Sequence, residues 1–527
     1  MDSTTMSHAC VNCGHNTRSN TIAVPVSPVP HLLNTNYSPS QTEVGLIRTS
    51  ISQVHADIAE IDYELASLQA ATAQIQRKRR LLLSFSEGHK SLLSPVRRIA
   101  PETLSDIFMW CLMEFWEDLF ASCDYTRICL SHVCRFWRDV ALSTPKMWAW
   151  IGLAMKSEHE QSQVAMTKTW LTRSSRHPLT LRVIPPVWGE LQNTYVHSVM
   201  EAILPHSTHW EDVRFLISSA MLDTLITVND LPCLQNLAID TFDFNLVSQP
   251  LLFDNAPGLR CVELGYNVSS AQSFPWAQLT EYWLDNTTAH EILAILDQTP
   301  HLVKCTVRVL EDETPLHRHV RLPLLQSLEI TSYINPADLF NHLSLPALRD
   351  FRYGEREEAA EEGWPNSQFV ALVKRSSCLL QTLNIDGILT EGDLIDCLRS
   401  MPLLVTQVLT LGEASYITSE TLSRLTNREA SSDQCLVPGL EYLNIQCYGA
   451  LNSLAWVDMI ESRWRLDGVP YGDEGARVSR LKRVAMHWNI CEESRSSSKI
   501  ALHTFERLRH FKSEGLVVFF TYGYLKL

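Results

Sequence analysis

The chain has 527 residues, a formal net charge of −15 and 45% apolar residues. It can bury extensive cores and is too long for one ordinary domain unless part of it is a repeat array. The acidic balance argues against a nucleic-acid partner, which needs a concentrated basic patch; the absence of any apolar run near the roughly eighteen residues of a span argues against a membrane protein.

Residues 1–42 are rich in Ser, Thr, Asn and Pro and show no periodicity, which predicts a disordered tail. The first twenty residues lack the apolar core of a secretion signal. The fourteen cysteines of the chain follow no regular pairing, so free thiols in a reducing, intracellular setting (cytoplasmic or nuclear) are expected. In the tail, Cys10 and Cys13 flanked by His8 and His15 leave two readings open. One is a small zinc knuckle with four ligands; the other is a tail with two thiols and no metal.

Over residues 43–88 apolar side chains recur at Val44, Ile47, Ile51, Val54, Ile58, Ile61, Leu65, Leu68, Ile75 and Leu82. The steps alternate three and four, with Thr72 and Arg79 at the two expected positions that are not apolar. This heptad pattern predicts one long helix with a narrow apolar seam. Such a seam needs a partner helix. That partner is either a second copy, in a parallel coiled-coil homodimer through 44–82, or the chain's own domain if the helix folds back. The short basic run Arg77, Lys78, Arg79 and Arg80 reads as a solvated face of this helix.

Residues 92–150 carry a second helical texture. Leu104, Ile107, Phe108, Cys111 and Leu112 fall on one face of an α-helix. Pro101 suits the first turn, where its missing N–H costs nothing, and Glu102 complements the positive end of the helix dipole. Leu130, Val133, Cys134, Trp137, Val140 and Ala141 repeat the spacing in a second helix. A third, short helix starts at Ser143 or Thr144 with a capping hydroxyl, and Pro145 again lies in its first turn.

From residue 151 to 527 a unit of the form Pro-x-Leu-x-x-Leu-x-Ile recurs: Pro232, Leu234, Leu237 and Ile239; Pro257, Leu259, Val262 and Leu264; Pro300, Leu302, Cys305 and Val307; Pro323, Leu325, Leu328 and Ile330; Pro346, Leu348, Phe351 and Tyr353. Pro300, Pro323 and Pro346 are each 23 residues apart. Later copies are Leu380, Leu383 and Ile385; Leu440, Leu443 and Ile445; and Leu481, Val484 and Met486. The copy at Pro402 is slipped by one residue, reaching Leu409 and Leu411. A period in the low twenties resembles leucine-rich repeats, whose units stack because none can bury its own apolar face. Of the Asn or Cys that such repeats often carry three positions after the last apolar residue of the strand, Asn267 and Asn489 are present; Phe242, Tyr333, Ile388 and Tyr448 break the pattern. The interval from Leu348 to Leu380, with acidic Glu355, Glu357, Glu358, Glu361 and Glu362, is too long for one unit. Together with 413–436 and 466–477 it reads as surface insertions. The fold expected is mixed α and β: a coiled-coil helix, three short helices, then an irregular leucine-rich-repeat-like α/β solenoid.

No phosphate-binding glycine loop, nucleophile elbow or His-Glu-x-x-His is present. Asp240 with Asp243, and Asp393 with Asp396, are carboxylate pairs of the kind that chance supplies.

The helical segment runs Val96, Arg97, Arg98, Ile99, Ala100, Pro101, Glu102, Thr103, Leu104, Ser105, Asp106, Ile107, Phe108. After a gap come Val133, Cys134, Arg135, Phe136, Trp137, Arg138, and then Thr144, Pro145 and Trp148. It resembles an F-box, and the combination with a preceding heptad helix is similar to the basidiomycete-type F-box proteins of mushroom-forming fungi. It departs from that family at Ala100, where proline is usual, and at Thr103, where Ile or Leu is preferred. The resemblance implies the substrate-recognition subunit of a Skp-cullin-F-box ubiquitin ligase, a non-catalytic receptor with no cofactor and no metal. It implies that a Skp-type adaptor and its cullin complex are met by Pro101, Glu102, Leu104, Ile107 and Phe108. Val133, Cys134 and Trp137 either join that contact or pack the helices together. A target protein, not identified by the sequence, would sit on the repeats. The alternatives are a leucine-rich scaffold that binds proteins without ligase recruitment, and an enzyme with a divergent site on the repeat loops.

Overall fold

A computed structural model describes residues 22–113, 123–154, 160–184, 193–225, 228, 230–241, 253–265, 268, 273–310, 314–355, 363–387, 389–401, 404, 408–411, 418–426, 435–448, 453–465, 479–489, 498–522 and 525–526. His8, Cys10, Cys13 and His15, the acidic residues Glu357, Glu358, Glu361 and Glu362, Asp243, Asn267, and the stretch 466–477 lie outside the described residues. The chain is mixed α and β and divides into two compact units, residues 1–103 and 104–527. Among the described residues no helix is long and apolar enough to cross a membrane.

In the first unit the chain has neither helix nor strand from residue 22 to 40 and then forms helix α1 (Gln41–Leu92). Its start is set by a capping box. Ser40 N–H donates to Glu43 Oε2 at 2.7 Å, and Glu43 N–H donates to Ser40 Oγ at 3.5 Å. No residue of α1 is buried; most of the heptad seam is exposed, with Val44, Ile47 and Val54 half-buried. The hydrogen bonds from Ser40 hold the Glu43 carboxyl below its ordinary value of 4.5. A carboxylate with a depressed folded pKa stabilises the folded state above the unfolded pKa and loses that contribution as pH falls through the folded pKa. The start of α1 is therefore expected to fray on acidification below pH 4.5, and Ser40→Ala to fray it at neutral pH. Amide exchange at the first turn of α1 measures both.

The second unit begins within helix α2 (Pro101–Met113), whose first turn belongs to the first unit. Helices α3 (Cys123–His132), α4 (Arg135–Leu142) and α5 (Pro145–Trp148) follow. The strands are β1 (Trp150–Ala154), β2 (Leu179–Ile184), β3 (Trp210–Ile217), β4 (Asn236–Thr241), β5 (Cys261–Leu264), β6 (Glu281–Thr287), β7 (Lys304–Val309), β8 (Val320–Arg321), β9 (Ser327–Ser332), β10 (Leu343–Ser344), β11 (Asp350–Glu355), β12 (Thr382–Asp386), β13 (Val408–Leu411), β14 (Tyr442–Tyr448), β15 (Arg483–Asn489), β16 (Val517–Tyr522) and β17 (Leu525–Lys526). All but β8 and β10, which pair with each other, form one sheet in strict chain order. Every neighbouring pair is parallel except β16 and β17.

The register explains why the repeats are legible. One rung position runs through Ile151, Leu181, Val213, Leu237, Val262, Tyr282, Cys305, Leu328, Phe351, Leu383, Leu409, Leu443, Val484 and Val518. The position two residues on runs from Leu153 through Ile239, Leu284, Ile330 and Ile385 to Phe520. Side chains two apart share a face of the strand, and both rows are buried wherever their side chains are described. The leading leucines, Leu234, Leu259, Leu302, Leu325, Leu348, Leu380, Leu440 and Leu481, complete the core behind the strands.

Three expectations change. The unit at Pro402 is slipped by two residues, not one. Leu404 is buried and Leu409 pairs with Leu383, so five positions separate them where Leu234 and Leu237 are three apart. The interval from Leu348 to Leu380 is one return after all, because β11 pairs directly with β12. Its extra length holds helix α11 (Asn366–Ser376), and the ring of Phe369 lies 4.7 Å from that of Phe351. The stretch 413–436 likewise contains helix α13 (Ser419–Leu425), in which Thr421, Leu422 and Leu425 are buried. The described helices of these long returns add to the core.

Candidate docking surface of the helical cluster

The helices from Leu104 onward are built around an aromatic and aliphatic core. Leu104, Phe108 and Leu112 on α2, Val140 and Ala141 on α4, and Met147 and Trp148 on α5 are all buried. The rings of Phe108 and Trp137 meet at 5.1 Å with a 56° tilt, a favoured geometry for aromatic pairs. Trp148 Nε1 donates to the Ala141 carbonyl at 2.7 Å, which satisfies the one polar atom of a buried indole.

Cys134 is the N-cap of α4. Its backbone is extended, at φ −159° and ψ 172°, and its Sγ accepts from Trp137 N–H at 3.4 Å. The continuous second helix expected over Leu130 to Ala141 is therefore two helices, broken at Val133 and Cys134. The break swings Val133 outward and turns Trp137 inward. Thr144 stands at the N-cap of α5 but its hydroxyl does not cap it. It lies 3.0 Å from Ser105 Oγ and donates to the Val140 carbonyl at 2.8 Å, tying α2 to α4.

The cluster is continuous with the sheet. Arg127 on α3 is fully buried, donates to the Trp150 carbonyl at the start of β1, and stands 4.6 Å from the ring centre of Trp170. Trp170 lies on helix α6 (Glu160–Ser174), where Arg173 stands 4.5 Å from the ring centre of Trp148. Cation–π contacts of this kind are strengthened when desolvated. Between these helices lies a cleft of about 270 Å³, lined by Ile128, His132, Leu142, Met166 and Trp170 among others.

The expected adaptor residues separate into two groups. Leu104 and Phe108 are buried, 1% and 0% exposed, and present no surface, while Trp137 packs on Phe108 and is half-buried; these three hold the helices together. Ile107 is 40% exposed and Val133 59% exposed. Cys134 is exposed while capping α4, and Pro101 and Glu102 are exposed in the first turn of α2, within the first unit. Sequence reasoning missed two further side chains, Trp110 at 71% and Phe136 at 40% exposure. The signal for Trp110 was its place three residues after Ile107 on the same helix.

The outward side of the sheet is polar. Arg214 on β3 reaches over Ala238 to Glu263 on β5 at 2.6 Å, and Arg308 meets Asp285 at 3.4 Å across β7 and β6. Burial pushes the Glu263 and Asp285 carboxyls up from their ordinary values, against the opposite pull of Arg214 and Arg308. Between these pairs Trp283 stands exposed on β6. Among the described residues no group of three His, Cys, Asp or Glu could hold a metal ion.

No family model matches the chain, and no curated protein matches it.

Proposed function

We propose that the chain is the substrate-recognition subunit of a Skp-cullin-F-box ubiquitin ligase. The helical cluster docks the adaptor, and the sequence-ordered sheet, taken as a degenerate leucine-rich-repeat solenoid, holds a target protein. One observation carries this reading: Ile107, Trp110, Val133 and Phe136 are held in water by helices whose own core is already complete. Fully burying a large apolar side chain is worth about 1.5–3 kcal/mol, and a partner surface recovers that. The receptor does no chemistry in this reading. It raises the effective concentration of target lysines at the transfer machinery of other subunits.

The test is co-precipitation of the full chain with a Skp-type adaptor. Ile107→Asp and Val133→Asp are each expected to weaken binding at least about tenfold, the cost of forcing a charge into an apolar contact. Val133→Asp should leave the melting temperature unchanged, since that side chain already faces water, and Ile107→Asp should lower it far less than truncation of fully buried Phe108. A wild-type chain that fails to bind the adaptor removes the ligase reading. Exposed Ala100 and Thr103, where the family carries apolar residues, favour a second reading: a protein-binding scaffold without ligase recruitment. That reading requires target capture with no adaptor in the complex.

A further inference from the structure

We infer that α1 pairs with α1 of a second copy in an antiparallel coiled coil, with Leu65 facing Leu68 of the second copy at its centre. The inference stands apart from the adaptor reading and survives its failure. From Ile58 onward every apolar seam residue of α1 is exposed, Leu65 at 53% and Ile75 at 69% among them, as is Ile51 at 49%. A strict three-four alternation keeps them in line only against another helix.

Direction follows from charge. Acidic side chains cluster before the middle of the helix, at Asp57, Glu60, Asp62 and Glu64, and basic ones after it, at Arg77, Lys78, Arg79 and Arg80, with Arg48 and Glu87 as the exceptions toward the two ends. In a parallel pair, each seam residue faces its own copy. Arg79 then meets Arg79 and Thr72 meets Thr72 in the apolar layer, and the flanking positions bring Asp57 against Asp62. Like charges so placed oppose pairing.

Reversing one helix removes every one of these conflicts. Ile51 layers with Leu82, Ile58 with Ile75, and Leu65 with Leu68, each layer occurring twice by symmetry. Arg79 lies opposite Val54 and beside Asp57, while Lys78 on the flank faces Asp57. Sliding by one heptad either way is worse. One slide sets Glu64 against Glu64 and Asp62 against Asp62; the other keeps an attraction, Glu64 with Lys78, but sets Arg48 against Lys90 and puts His89 opposite Ile51 in place of Leu82. The occupant of this seam is thus a second copy in one direction and one register.

Spin labels attached through non-cysteine chemistry to the full chain test this by pulsed dipolar spectroscopy. With a 1.5 Å rise per residue, labels at Ser84 in the two copies are expected about 52 Å apart along the axis. Labels at Ser67 are expected side by side. A short Ser84 distance means a parallel pair and overturns the inference, as does a monomer in sedimentation at the labelling concentration. Charge exchange gives an independent readout. Asp57→Lys and Lys78→Asp are each expected to weaken self-association about tenfold, counting two sites of attraction turned to repulsion. The double variant D57K/K78D is expected to restore it. In a parallel pair Asp57→Lys would instead face Asp62 and tighten association, so tightening also overturns the inference.

Discussion

Phe108→Ala is expected to destabilise the second unit by about 3–5 kcal/mol, the range for truncating a fully buried aromatic ring. The ring is wholly enclosed and rests against Trp137, so the substitution removes both the transfer energy of the benzyl group and the contacts of its neighbours. Helices α2 and α4 lose the aromatic pair that joins them. Because Arg127 anchors the neighbouring α3 to the start of β1 and Trp170 on α6, the loss is expected to reach the first strands as well. Chemical denaturation of the full chain measures it. Under the proposed ligase reading, adaptor binding should fall in step with stability and recover at low temperature, unlike that of Ile107→Asp. A Phe108→Ala chain of undiminished stability that fails to bind adaptor would mean that Phe108 is a contact residue.

A loss of similar size is expected at Arg463. This arginine on helix α14 (Ser453–Trp464) is fully buried. Its Nε donates to the Leu425 carbonyl at 2.6 Å, Nη2 to the Leu436 carbonyl at 2.7 Å, and Nη1 to the Val437 carbonyl at 3.0 Å. Nη2 also reaches Cys435 Sγ at 3.1 Å. Burial pulls its pKa below the usual arginine value, and the rigid fork of the guanidinium matches three converging carbonyls that a flexible amine could not serve together. Val437 has φ +50°, a conformation that a β-branched residue adopts only when its surroundings force it. Arg463→Met fills much of the volume but strips three carbonyls of their donor. At roughly 1–3 kcal/mol for each unsatisfied buried group, with partial relaxation, the expected cost is about 3–5 kcal/mol. Arg463→Lys keeps the charge without the fork and is expected to recover less than half of it. Hydrogen exchange at residues 435–440 should rise first, ahead of global unfolding.

The sequence made the strands visible where a leading leucine and an alternating pair coincide, as in Leu325, Leu328 and Ile330. It hid β6, where Ala277 replaces the usual proline and Tyr282 stands for a leucine. It also hid β16, where Val517, Val518, Phe519 and Phe520 form an unbroken apolar run with no alternation to read. The helical cluster shows a different limit. Leu104, Ile107 and Phe108 lie on one apolar ridge at three- and four-residue spacing, and periodicity cannot say which member faces the core and which faces water. That division depends on Trp137, and Trp137 turns inward because the chain breaks at Cys134, a capping residue with little propensity signal. The two buried arginines were equally invisible. Charged residues are expected outside, and only tertiary placement of Trp150, Leu425 and Val437 supplies the carbonyls that Arg127 and Arg463 need.

The enclosed thiols turn this molecule into its own stopwatch. Cys305 on β7 and Cys397 on helix α12 (Glu391–Arg399) are fully buried, and burial pushes the Cys305 thiol up to about 12, so neither can be alkylated until its segment opens. Exposed Cys129 and Cys134 should react at once. The lag at Cys305 and at Cys397 then gives two separate opening rates along one stack, and a difference between them would show that the array breathes piecemeal.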